Sequence, residues 1–395
     1  MRHHSKLPVR RLAWLFALVA MLAAMAVPAA AQAGGSLFDP PGVMTRNLYL
    51  GADLNPALAA ISCSPQPYCL LAANQGIWNK VVATDFPARA KKLAKEIDDN
   101  DPYMVGLQEV ALWRSGPVDG VKDATTVQYD FLASLLSELA ARGNHYKAAV
   151  VQQEADIESP SASPPTFADA TDRRLTMRDV ILVRTDLPKA IVSFDNAQSA
   201  NYAPDHVINV TVPQTSPCPG TSSCYGNIVF KRGWTSIDVK ILGHPVLRFV
   251  NTHLESAASG YRQAQAAELV GAYGTGPLLT KIPAILVGDF NSDPAIPFLG
   301  DPASSADDGA AFGIISGAGF VETGNTANTF GHDGDLLDFP SNPFTERIDH
   351  VMTRPSTLGI WRTKVVGNDP ANRAPSAAGL LWPSDHGGLV STLGH

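Results

Sequence analysis

PAILVGDFNSDP (residues 283–294) opens as an apolar strand and breaks into Gly288-Asp289-Phe290-Asn291. Gly, Asp, Asn and Pro all favour turns, so a plain turn explains part of the pattern. A carboxylate beside a buried strand loses solvation, however, and needs a partner, a metal or a functional use. The rest of the chain repeats this arrangement.

VMTRNLYLGADL places Asn47 at the end of an apolar run, and YMVGLQEV ends in Gln108 and Glu109. LRFVNTHLES closes on Asn251, Thr252 and His253. RIDHVMTR holds Asp349 between apolar neighbours, LTMRDVILVR sets Arg178 and Asp179 before another strand, and WPSDHGGLVSTL puts Asp385 and His386 before the last. Strand ends are where packed scaffolds present chemistry, and this recurrence predicts one shared cleft. Asn47, Glu109 and Asp385 supply hard oxygens and no cysteine joins them, which suits Mg²⁺ or Mn²⁺, with Ca²⁺ also admissible. G-x-S-x-G, Walker and dinucleotide glycine patterns are absent from the sequence. Acid/base groups, hard-cation ligands and two histidines fit phosphate-ester hydrolysis by an activated water.

Arg2, Lys6, Arg10 and Arg11 precede an apolar stretch (residues 12–27) and a small-residue segment ending Ala31-Gln32-Ala33. This reads as a secretory signal peptide over residues 1–33, with secretion expected and residues 34–395 as a single domain. Removing it turns 30 basic and 37 acidic residues into 26 and 37, a net charge near −11. Such a surface does not announce nucleic acid, although an acidic enzyme using bound cations can still take a phosphate substrate. Cys63/Cys69 and Cys218/Cys224 are spaced for two local disulfides, with a zinc site as the alternative.

Strand-like runs recur to the end of the chain, and helical periodicity is clearest over residues 86–97, 129–141 and 263–273, so α and β layers sharing one core are expected. Residues 154–172 and 196–227 read as loop insertions, and 300–319 as a flexible stretch. Arg89, Lys91, Lys92 and Lys95 read as the wet face of an amphipathic helix.

Taken in order, Asn47, Gln108-Glu109, His253, Gly288-Asp289-Phe290-Asn291, Ile348-Asp349-His350 and Ser384-Asp385-His386 resemble the endonuclease/exonuclease/phosphatase superfamily. That group includes DNase I-like nucleases, abasic-site endonucleases, neutral sphingomyelinases and inositol polyphosphate phosphatases, and the resemblance spans residues 43–393. It implies an α/β (α+β) fold, a DNase I-like four-layer α/β/β/α sandwich with its active site at one edge of the paired sheets. It implies that Glu109 is the principal metal carboxylate, helped by Asn47 and Asp385. Asp289 would orient or deprotonate the attacking water, and Asn291 would bond that water or a phosphate oxygen. His386, oriented by Asp349, would stabilise charge on the phosphate, and His253 would be the general acid. Asp179, Arg178, Lys231 and Arg232 are weaker substrate candidates. The expected partner is a phosphate ester, either nucleic acid or a lipid or small molecule, acted on by a monomer with no transmembrane segment in the mature chain. A binding protein that lost catalysis is the remaining alternative. Acidic rim segments (Glu154, Asp156 and Glu158; Asp333, Asp335 and Asp338) count against duplex DNA.

Overall fold

The computed structural model describes residues 42–393, except 64–67, 120–122, 212–226 and positions 325, 340, 342, 356–357 and 359–360. The expected signal peptide and the second cysteine pair lie outside the described residues.

In chain order the elements begin with β1 (Gly42–Asn47), a short α1 (Asn55–Ala60), α2 (Tyr68–Ala83), α3 (Phe86–Asn100), β2 (Met104–Gln108), β3 (Leu112–Gly116), β4 (Thr126–Asp130) and α4 (Phe131–Ala141). Next come β5 (Tyr146–Ser161), β6 (Thr171–Arg184), β7 (Val192–Asn201), β8 (Ile208–Thr211), β9 (Asn227–Phe230), β10 (Gly233–Ile241), β11 (His244–His253) and α5 (Ser259–Leu269). The chain continues through β12 (Ala284–Asp289), α6 (Ala310–Gly317), β13 (Val321–Glu322), β14 (Asp349–Arg354), β15 (Trp361–Val366), β16 (Ala374–Ser376), β17 (Gly379–Leu381) and β18 (Gly388–Leu393).

Two sheets carry the fold. One runs β15-β18-β1-β2-β6-β3-β4 with β5 also paired to β6, and the other runs β13-β14-β12-β11-β10-β7. The two-residue period of a strand sends neighbouring side chains to opposite faces. Val43, Ile181 and Val183 of the first sheet meet Ile237, Phe249, Ile285, Val287 and Val351 of the second in a core between the sheets. Their sequence neighbours Met44 and Leu182 face the other way, onto Ile77, Val81, Leu93, Ile97 and Leu135 of α2, α3 and α4. On the far side Val250, Leu286 and Met352 pack against Ala266 and Leu269 of α5 and Ala311 and Ile315 of α6. Helix, sheet, sheet and helix therefore form four layers, the DNase I-like α/β/β/α sandwich that the resemblance implies.

The sheets approach most closely at β2. A Cβ on Gly106 would lie 2.5 Å from Val287 Cγ2 and 2.6 Å from Asn251 Oδ1. Beside it, Gln108 Nε2 donates to Asn251 Oδ1 at 2.5 Å, and Asn251 Nδ2 donates to the Leu107 carbonyl at 3.1 Å. Both side chains are fully buried, so these bonds lock the sheets in one relative position.

The structure differs from the sequence-based expectations in three places. Glu154 to Ser161 continue β5, and β6 starts at Thr171, so most of the expected 154–172 insertion is a long hairpin whose arms pair from Tyr146↔Arg184 to Ser161↔Thr171. The stretch read as an insertion from residue 196 holds the second half of β7 and all of β8, while Cys63 and Cys69 do form the expected disulfide. Finally, α6 takes up Ala310–Gly317 within the stretch read as flexible. No helix among the described residues is long and apolar enough to cross a membrane.

Gly106→Ala should push the sheets apart and lower the unfolding free energy by about 1–3 kcal/mol, read as a drop in denaturant midpoint. An unchanged midpoint would show that this contact does not limit sheet spacing.

Candidate active site

Strand register builds the site. β11 and β12 run parallel with His253 opposite Asp289, and β12 and β14 run antiparallel with Asp289 opposite Asp349. His253, Asp289 and Asp349 thus form one row across three neighbouring strands. In the other sheet β1 and β2 run parallel with Asn47 opposite Gln108, which places Glu109 just beyond the strand end. Gly288 is required by packing: a Cβ there would lie 2.0 Å from the Thr252 carbonyl oxygen. Asn291 takes φ +46°, left-handed backbone that Asn tolerates better than most residues, and donates its N–H to Asp289 Oδ1 at 2.9 Å.

The Asp385-His386 loop is brought over the row by bonds to β1. Ser384 Oγ donates to the Asn47 carbonyl at 2.9 Å, and the buried Arg46 guanidinium donates to the His386 carbonyl while pairing with Glu96 of α3 at 3.0 Å. His386 Nδ1 then lies 2.9 Å from Asp349 Oδ2, and its Nε2 lies 3.7 Å from Asp289 Oδ2 and 3.9 Å from Asp385 Oδ1. Burial alone would lower the pKa of this ring. Asp349, Asp385 and Asp289 outweigh it and hold His386 well above the usual imidazole value, as an imidazolium that donates from Nδ1 to Asp349 and keeps a second proton on Nε2.

Asn47 ties the two sheets' chemistry together. Its Nδ2 donates to Glu109 Oε1 and to Asp289 Oδ2, each at 3.1 Å, while its Oδ1 accepts the Tyr49 N–H at 2.8 Å. With its oxygen engaged in this way, Asn47 orients both carboxylates through its amide nitrogen rather than presenting an oxygen to the cleft. Glu109 Oε2 accepts from the Leu50 N–H at 2.7 Å.

Glu109, Arg232, His253, Asp289, Asn291, Asp385 and His386 line a single cleft of about 740 Å³. Asn47 and Asp349 stand one layer behind them, bonded to lining residues. Burial pushes Asp289 up to about 7, with His386 lowering and Asp349 raising it. Burial likewise pushes Asp385 up to about 6, with His386 lowering and Glu109 raising it. Glu109 raises the Asp385 carboxyl, so the two charges lie close enough to repel, and together they offer the all-oxygen donors that a hard divalent cation prefers. The residues present therefore fit such an ion.

Beside that for Asn47, four expectations need correcting. His253 is not arranged as a protonated acid. Arg232 Nη1 donates to its Nδ1 at 2.9 Å, which leaves the proton on Nε2, 3.5 Å from Asp289 Oδ2. Burial, then Arg232 and His386, hold this ring well below the usual value, so it is a neutral donor. Arg178 is away from the cleft, because its guanidinium donates to the Val110 and Ala111 carbonyls and to Asp130, at the start of α4. Lys231 is exposed and lines a separate depression with Asp123, Asp156 and Glu158. Asp179 is buried behind His253 against Glu154, and burial pushes both carboxyls up, Glu154 to about 8.

Other acidic residues are compensated within the fold. Asp156 pairs with Arg174 at 2.6 Å and Arg114 at 3.3 Å, and Asp338 Oδ2 lies 2.8 Å from His332 Nδ1. The expected acidic rim is therefore partly neutralised. Arg89, read as solvent-facing, is fully buried and donates to the carbonyls of Thr84 (2.7 Å), Leu48 (2.7 Å), Pro383 (2.9 Å) and Tyr49 (3.0 Å). It pins the loop after β1 to the loop before β18. Its position was readable: Phe86, Arg89, Ala90, Leu93, Ala94 and Ile97 form one helical stripe, and all six are buried.

A family model for the endonuclease/exonuclease/phosphatase family matches residues 77–386. The chain belongs to that family. Family members are hydrolases of phosphate esters, and this chain has the family's phosphoesterase fold. Among solved structures, an endonuclease/exonuclease/phosphatase family protein from Bacteroides thetaiotaomicron is similar at 16% identity and a TM-score of 0.48, over 89% of this chain and 96% of its own. A mannosyl-6-phosphatase of Bacteroides thetaiotaomicron VPI-5482 is similar at 18% identity and a TM-score of 0.48, over 90% and 100%. A truncated Caenorhabditis elegans TDP2 is similar at 15% identity and a TM-score of 0.44, over 90% and 97%. No curated protein sequence matches the chain.

Arg89→Leu would leave four buried carbonyls without a donor and should destabilise the fold by on the order of 3 kcal/mol or more, while the exposed neighbour Lys91→Ala should change stability by less than about 0.5 kcal/mol. Chemical denaturation of the two variants compares them directly, and equal effects would refute the stapling role.

Proposed function

We propose that this endonuclease/exonuclease/phosphatase family member is an exported, divalent-cation-dependent hydrolase that cleaves a phosphodiester by direct attack of water. The observation that carries the reading is the convergence upon one cleft of His253 and Asp289 from one sheet, Glu109 from the end of a strand in the other, and the Asp385-His386 loop, with Asp349 behind His386.

Asp289 is the base. The Asn291 N–H and the Asn47 amide hold its two oxygens, and burial raises its proton affinity to the range useful for taking a proton from water near neutrality. His386, kept cationic by three carboxylates, donates from Nε2 to a phosphate oxygen and stabilises the charge that develops there. His253, locked by Arg232 as the Nε2–H tautomer, contributes a second neutral donor, and Arg232 adds fixed positive charge to the cleft wall. Glu109 and Asp385 would hold the cation, which when bound supplies Lewis-acid stabilisation of phosphoryl charge. Mg²⁺ and Mn²⁺ fit this donor set, and Ca²⁺ is a further candidate.

Export is supported by the charged, apolar and small-residue order of residues 1–33 and by the Cys63–Cys69 disulfide. Nucleic acid and lipid or small-molecule diesters are the two substrate classes. The engagement of Arg114 and Arg174 by Asp156, together with the net charge of −7, favours the second over a duplex held by its phosphates.

The test is hydrolysis of plasmid DNA, RNA, sphingomyelin and soluble mono- and diesters by the mature protein with Mg²⁺, Mn²⁺, Ca²⁺ or EDTA. Turnover should require the cation, and Asp289→Asn should lose about 10²–10⁴-fold in kcat with unchanged circular dichroism. Full activity in folded Asp289→Asn protein, or in EDTA, would exclude this mechanism.

A further inference from the structure

A second cavity, of about 80 Å³, opens between α1, α2 and the β5–β6 hairpin, and its lining shares Leu54, Leu58 and Phe230 with the catalytic cleft. Trp78, Trp113 and Leu175 form its apolar body. Trp113 is fixed by donating Nε1–H to the Leu50 carbonyl at 2.9 Å, and Trp78 stands edge-on to it with ring centroids 6.1 Å apart.

The polar groups at the edge of this cavity are already occupied by protein. Asn74 donates to Ser159 Oγ at 2.7 Å and to the Pro160 carbonyl at 2.8 Å, and Glu158 accepts the Ala124 N–H at 2.9 Å. Arg173 stacks its guanidinium 4.1 Å from the centre of the Trp78 ring and bonds Ser161 Oγ at 3.3 Å. A water inside would find few of the two to four partners that hold buried water in place, so the space is better filled by carbon. Because Leu54, Leu58 and Phe230 line both the cleft and the cavity, they give a group attached to a phosphate held by His386 and His253 an apolar route from one to the other.

We infer that this cavity is a substrate subsite that receives an alkyl chain carried on the phosphodiester. The inference rests on the phosphoesterase reading and narrows its substrate class to diesters with an aliphatic arm. Burial of successive methylenes raises kcat/KM by roughly fourfold each until the cavity is full. Nothing in this role requires the chain to take part in bond making.

The experiment compares methyl, butyl and hexyl p-nitrophenyl phosphates, in which the leaving group is constant, using the mature protein with Mg²⁺ or Mn²⁺. The hexyl ester should exceed the methyl ester in kcat/KM by at least roughly tenfold, mostly through KM. Ala57 lines the cavity but not the cleft, so Ala57→Trp should flatten that ratio. The ratio is internal to each protein, so a partial loss of folded material cancels. A flat series in the unaltered protein overturns the subsite, and an undiminished series in Ala57→Trp overturns its location. Failure of every diester to turn over would count against the phosphoesterase reading itself. The subsite is then decided by tryptophan fluorescence, with hexyl phosphate binding at least tenfold more tightly than methyl phosphate if it exists and equally if it does not.

Discussion

Everything in the cleft depends on the buried bond between Gln108 and Asn251. These two amides meet between the sheets, beside the point where Gly106 allows closest approach. Each belongs to a strand whose next residues carry chemistry: Glu109 follows Gln108, and His253 lies two residues beyond Asn251. A buried amide pair has only one arrangement that satisfies its donors and acceptors, so a sliding of one sheet over the other would leave polar atoms unpaired at a cost of about 1–3 kcal/mol each. The bond thus converts the register within each sheet into a fixed distance between a cation-holding half and a water-activating half.

A second set of constraints closes the cleft from above. Arg46 and Arg89 are both fully buried, and both donate to backbone carbonyls of the segment around residues 383–386. Arginine suits this use, since its planar fork can satisfy several carbonyls at once and remains charged. Their positive charge is balanced differently. Glu96 pairs directly with Arg46, while Arg89 is surrounded by carbonyl dipoles and stacks near the Phe86 ring at 5.0 Å. The outcome is a charged loop, Asp385-His386, held rigidly against the Asp289 row. Within that row the two histidines are driven apart. Three carboxylates hold His386 cationic, and the Arg232 guanidinium keeps His253 neutral. One donor is therefore charged and the other is not, which divides electrostatic stabilisation from simple hydrogen bonding.

Much of this was legible in the sequence for a physical reason. A polar residue that ends an apolar run marks a strand terminus, and strand termini in the same sheet lie side by side. That logic groups Glu109, His253, Asp289, Asn291, Asp385 and His386, and all six line one cleft. The fold followed from the same order of motifs. What stayed hidden was partnership across space. Arg232 beside His253 reverses the proton state expected of that histidine, and no local pattern around either residue announces the contact. Arg178 precedes a strand just as the site residues end theirs, yet its side chain turns to Asp130 and serves a helix start. The length of the β5–β6 hairpin was obscured because Pro, Ser and acidic residues usually signal loops. Here Arg173 and Arg174 across the ladder supply the partners that make a strand.

In the proposed mechanism water, activated at Asp289, attacks phosphorus without an enzyme-bound ester. The stereochemical course at phosphorus tests this most directly, using a diester made chiral by a non-bridging sulfur and hydrolysed in ¹⁸O-labelled water, so that the configuration of the thiophosphate product can be assigned. A single in-line attack by water predicts inversion. Retention would mean two displacements with a protein oxygen attacking first, and the mechanism would have to be rebuilt around a covalent intermediate.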